Sequence, residues 1–137
     1  MTKVDSPNSS EPRPGLMIEL DGVDLDRDGK GLARWNNWVI VVPDLLPGER
    51  ATVQLQQRQK SRWLSRRVDQ ITFSADRRRP PCILADDCGG CTLQRLDDPA
   101  QTLLKAQQIQ QTMQRIGGID VTPAPTLVDT ERSFGYR

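Results

Sequence analysis

Cys82, Cys88 and Cys91 are the only cysteines of the chain, they fall within ten residues, and the 137-residue sequence has no histidine. Three thiols spaced C-x5-C-Gly-Gly-C form a compact set of soft ligands. Gly89-Gly90 lets the backbone turn tightly between the second and third. An odd number of thiols fits poorly with a framework made of disulfides alone, whereas clustered cysteines in a reducing compartment more often hold metal. Structural zinc takes four nitrogen or sulfur ligands, and iron–sulfur clusters favour four cysteines, one of which can come from a distant segment. Spacing alone does not choose between the two metals. The missing ligand would be a cysteine outside the chain, or, in a free-standing module, Asp86, Asp87, water or another chain.

A second group with chemical potential lies just upstream. Between residues 58 and 79 stand Arg58, Lys60, Arg62, Arg66, Arg67, Arg77, Arg78 and Arg79 against only Asp69 and Asp76. Six positive charges in excess over this stretch contrast with +1 for the whole sequence. Such a run gains from counterion release on a phosphate backbone, so RNA is the expected partner, with no DNA or membrane partner expected. Trp63 is a candidate for stacking on unpaired bases. Trp35 and Trp38 read instead as core residues, since large aromatics usually carry burial.

The elements that position these groups are short. Leu16, Ile18 and Leu20 alternate with Met17, Glu19 and Asp21, the pattern of a half-buried strand. Residues 31–35 and 38–42 form a hairpin pattern flanked by the turn signals Asp28-Gly29 and Asn36-Asn37, and Pro43 ends its second strand. Leu45-Leu46-Pro47-Gly48-Glu49 reads as a turn with apolar anchors. Ala51, Val53 and Leu55 alternate with polar residues, and residues 63–71 supply a fifth strand. The fold class expected is mainly β: a small five-stranded OB-like barrel, whose closure removes exposed edges, followed by a cysteine-rich loop and one α-helix. For that helix Asp98 is the expected N-cap, with Pro99 in the first turn and Gln101 completing a capping box. Gly117-Gly118 stops it. Leu103, Ala106, Ile109, Met113 and Ile116 form an apolar stripe expected to pack on the barrel or the cysteine loop, leaving the glutamine-rich face solvated. Residues 1–14, rich in Ser, Pro and charge, read as a disordered tail. No stretch approaches the roughly 20 apolar residues of a membrane-spanning helix, and the N-terminus lacks a signal-peptide core, so the expected location is cytoplasmic.

Phe73-Ser74-Ala75-Asp76-Arg77, Pro80-Pro81-Cys82 and Cys88-Gly89-Gly90-Cys91-Thr92-Leu93-Gln94-Arg95 together resemble the iron–sulfur motif of the RNA (uracil-5-)-methyltransferases. Asp28-Gly29-Lys30-Gly31-Leu32-Ala33, Val42-Pro43 and Leu46-Pro47-Gly48-Glu49-Arg50 resemble the TRAM domain of the same enzymes. Gly135-Tyr136-Arg137 is similar to the stretch that opens their central domain. The order of motifs is most similar to the members that act on 23S ribosomal RNA, with those acting on transfer RNA as the alternative. The resemblance implies a TRAM barrel over residues 15–75, an iron–sulfur loop and helix over 76–118, and the start of a truncated central domain over 119–137. It further implies a [4Fe–4S] cluster held by Cys82, Cys88, Cys91 and a fourth cysteine beyond the chain. S-adenosylmethionine would be bound by a domain that the full-length enzyme alone carries. No catalytic residue is expected among these 137, and the chain alone is expected to be inactive.

Overall fold

The structure is a computed structural model that describes residues 11–129 and 131. The motif at Gly135-Tyr136-Arg137 and most of the N-terminal tail lie outside the described residues. The chain divides into two compact units between Ala75 and Asp76.

The first unit contains β1 (Met17–Leu25), β2 (Gly31–Trp35), β3 (Trp38–Val42), β4 (Arg50–Gln59) and β5 (Arg62–Gln70). They form a closed barrel in the order β1-β2-β3-β5-β4, with β1 returning to pair with β4. All pairings are antiparallel except β3 with β5, which run parallel through Val39–Arg62, Ile40–Trp63 and Val41–Leu64. Closure leaves no free sheet edge, which allows so small a core to stand in water. Ile18 and Leu20 of β1 point inward, as do Ile40 and Val42 of β3 and Val53 and Leu55 of β4, all at most 3% exposed. This is the period-two alternation that the sequence carries. Ser65, also inward, donates its hydroxyl to the Val41 carbonyl at 2.9 Å, so the hydroxyl is satisfied within the core beside the parallel seam.

The loop between β3 and β4 closes one end of the barrel with Leu45 and Leu46, both buried. Two glycines make room for it. A Cβ at Gly22 would overlap the Leu46 carbonyl, and one at Gly31 would overlap the Leu45 carbonyl and stand 2.8 Å from Leu45 Cβ. Glu49, fully buried, holds the loop from inside by accepting from Leu46 N at 2.9 Å and Ser74 N at 3.1 Å.

The second unit carries α1 (Asp98–Gly117), ending at Gly118, whose φ of 63° makes it the left-handed cap expected there. The start differs from expectation by one residue. Asp97 is the N-cap, with φ −66° and ψ 162°, and its carboxylate accepts from Ala100 N. Its own amide donates to the Asp76 carbonyl, which fixes the extended backbone one residue before Asp98. Gln101 therefore completes no capping box; its side-chain amide donates to the Leu93 and Leu96 carbonyls. The apolar stripe is also corrected. Leu104, outside the stripe, is the buried residue of the helix, while Leu103, Ile109, Met113 and Ile116 are exposed, the last at 85%.

Candidate metal centre and nucleic-acid interface

The cysteine loop leaves and returns at one base. Arg77 and Leu96 form an isolated antiparallel bridge, Arg78 N donates to the Arg95 carbonyl at 2.8 Å, and Asp97 N donates to the Asp76 carbonyl at 2.9 Å. Between these ties the backbone runs through turns. Ala85 N donates to the Cys82 carbonyl, and Cys88 N donates to the Leu84 carbonyl at 2.8 Å. Gln94, buried at 7% exposure, accepts from Cys82 N through its side-chain oxygen at 3.2 Å. Gln94 thus anchors the first cysteine from the far side of the loop. No periodicity or charge in the sequence marks it for that role.

All three thiols are free; Cys82 and Cys91 are half-buried and Cys88 is exposed. A Cβ at Gly90 would come within 3.4 Å of Cys88 Sγ, so this sulfur lies against backbone that carries no side chain. By residue type alone the donor set, three thiols and no imidazole, is of the kind that a thiophilic ion or cluster takes. Among the described residues no three Cys, Asp or Glu side chains are gathered closely enough to hold a metal ion. Asp86 pairs with Arg95, which occupies one of the two carboxylates considered for a fourth ligand.

The basic run is divided between the two units. On the barrel, Arg58 is the penultimate residue of β4, Lys60 sits in the β4–β5 turn and Arg62 begins β5. All three are exposed, and no carboxylate pairs with any of them among the described residues. Arg66 is exposed and donates to Gln54 Oε1. Arg67 is committed to the fold: it donates to the Asp44 carbonyl at 2.7 Å, to Asp44 Oδ2 at 2.8 Å and to Gln70 Oε1 at 2.9 Å. In the second unit Arg78 Nε donates to the Gln94 carbonyl and its Nη2 lies 3.0 Å from Asp98 Oδ1. Arg77 is half-buried in the bridge to Leu96, and Arg79 is exposed.

Trp63 is not placed as a stacking residue. It packs in the barrel core at 5% exposure, level with Ile40 across the parallel pair, with no ring face open to a base. Strand parity carried this signal: Trp63 shares its face with Ser65, opposite Arg62 and Arg66. Trp38 is only partly buried. It packs against the core, and the Arg58 guanidinium lies 4.7 Å from its ring centroid.

No helix among the described residues is long and apolar enough to cross a membrane. No family model matches the chain. Among curated proteins it is 65% identical over 130 residues to one named uncharacterized RNA methyltransferase in Parasynechococcus marenigrum, a match covering 95% of this chain and 28% of that protein. Similarly named proteins of Synechocystis sp. and Listeria monocytogenes are 39% and 37% identical over 90% and 88% of the chain. In those two the match covers 27% and 26% of the relative's own length. By sequence, then, the chain is homologous to a segment, about a quarter in length, of proteins named RNA methyltransferases.

Proposed function

We propose that the chain is the RNA-binding and cluster-bearing part of an S-adenosylmethionine-dependent RNA (uracil-5-)-methyltransferase of the cytoplasm, acting on 23S ribosomal RNA. The observation that carries this reading is the 65% identity, over nearly the whole chain, to a protein named an RNA methyltransferase. The closed five-stranded barrel, on which Arg58, Lys60 and Arg62 are exposed and have no carboxylate partner among the described residues, supports its RNA-binding half, in the role of a TRAM domain. Cys82, Cys88 and Cys91 would supply three sulfurs to a [4Fe–4S] cluster, with a fourth cysteine from elsewhere in the protein. The group would contribute structural support or recognition rather than redox catalysis. Gln94 and the bridge between Arg77 and Leu96 hold the loop that presents these sulfurs.

Methylation at C5 of uracil needs a thiolate to add at C6, because C5 is otherwise a poor nucleophile. The base must also leave its stack to be reached. That chemistry, and the binding of S-adenosylmethionine, is assigned to the remaining part of the full-length protein. The residues described here bind and orient RNA. Transfer RNA is the alternative substrate.

Anaerobic reconstitution with iron, sulfide and a small thiol to complete the fourth position tests the metal half of this reading. Iron and inorganic sulfide bound in equal amounts, and lost on Cys88→Ser, are expected. Zinc alone, or unchanged iron after Cys82, Cys88 and Cys91 are all replaced by serine, would overturn it.

A further inference from the structure

We propose that the cleft between the β2–β3 and β4–β5 turns is a subsite for one unpaired RNA nucleotide, with the Arg58 guanidinium, layered on Trp38, as the platform for its base. This inference rests on the reading of the barrel as the RNA-binding part and names where on the barrel a base is held.

The cleft, of about 480 Å³, is lined by Asn37, Trp38, Arg58, Lys60 and Ser61. Its size lies within the range of small-ligand sites. Trp38 packs against the barrel core, which fixes its ring, and Arg58 lies over that ring at 4.7 Å. Arg58 Nε donates to the Lys60 carbonyl at 3.2 Å, so the guanidinium is held from two directions. A planar cation immobilised on an indole leaves its second face for a base, and both Arg planes and aromatic rings stack on unpaired bases. Bases inside an A-form duplex are already stacked and cannot enter such a site.

Lys60 adds a second, independent observation. Its φ is 55°, a left-handed conformation that favours glycine or asparagine. The opposing β2–β3 turn has Asn36 in the comparable conformation, with φ 53°. A lysine in this position gains nothing for the turn, but it places an ammonium group beside the cleft. With Arg62 it supplies positive charge for the phosphates flanking a stacked base.

Binding of a labelled single-stranded oligouridylate about ten nucleotides long, within the span of one such barrel, tests the proposal across a salt series. Arg58→Lys keeps the charge and removes the plane. It is expected to weaken binding roughly 5-fold or more with the salt slope unchanged. Trp38→Leu is expected to weaken binding roughly 5- to 100-fold. Lys60→Asn should lower both the affinity and the salt slope, the latter by about one. A duplex of matching length should be indifferent to Arg58→Lys. If the parent chain binds the single strand and Arg58→Lys stays within about twofold of it, the subsite is overturned while RNA binding stands. If the parent chain binds no single strand, the RNA-binding reading falls with it. Arg58 lies on the outer surface, so its replacement keeps the test decisive even if Trp38→Leu unfolds.

Discussion

Glu49 and Ser74 lie on either side of the barrel's last two strands, and the buried Glu49 carboxylate accepts from the Ser74 amide at 3.1 Å while also accepting from Leu46 N at 2.9 Å. One side chain thus secures both the loop that caps the barrel and the segment that leaves it. Removing it takes an acceptor from the buried Leu46 amide and from the part-buried Ser74 amide. Hydrogen bonds to charged groups contribute about 1.5–3 kcal/mol each, so Glu49→Ala is expected to destabilise the barrel by roughly 3 kcal/mol or more. Glu49→Gln, which keeps one acceptor oxygen, should cost less. Chemical denaturation of the two variants provides the comparison.

Arg66 and Arg67 are neighbours in sequence with opposite roles. Arg67→Ala removes three hydrogen bonds from a half-buried network with Asp44 and Gln70, and should destabilise by about 2 kcal/mol. Arg66→Ala breaks one exposed contact with Gln54 and should stay within about 0.5 kcal/mol of the parent. Its effect belongs in RNA affinity and salt dependence. Equal stability losses from both would contradict this division.

Gly31 faces the backbone of the capping loop, so a methyl group there must displace Leu45. Overpacking of this kind typically costs about 1–3 kcal/mol, and the same is expected of Gly22→Ala. Gly89→Ala, where a Cβ would meet nothing within 4 Å, serves as the control and should leave thermal unfolding unchanged.

Gln94 Oε1 accepts from the Cys82 backbone amide and not from its thiol. Gln94→Leu is expected to retain all three thiols yet lower iron and sulfide loading after reconstitution. A thiol titration confirms that the cysteines remain, which separates positioning from ligand loss. Loading equal to that of the parent would show that the loop needs no such anchor.

The barrel was legible because alternation, turn chemistry and a capping loop all pointed one way. Ile18 and Leu20 face inward as their spacing requires, Gly29 and Asn36 take the positive φ expected at turns, and Leu45 and Leu46 anchor the loop. Arg67 was not legible, because its partner Asp44 lies 23 residues away and charge alone does not distinguish a clamp from a solvated side chain. Two adjacent aspartates hid the helix start, since either can cap and the tie to Asp76 decides. The stripe on α1 shows the limit of periodicity: spacing defines a face but not whether anything covers it. On β5 the period-two signal assigned Trp63 inward, and the surrounding arginines masked it.

The most direct measurement is the 5-methyluridine content of 23S ribosomal RNA and of transfer RNA from cells in which the gene for this protein is disrupted. A 5-methyluridine is expected to be lost from 23S ribosomal RNA and restored by the intact gene. Loss from transfer RNA alone would reassign the substrate. Unchanged 5-methyluridine in both RNAs would contradict the account.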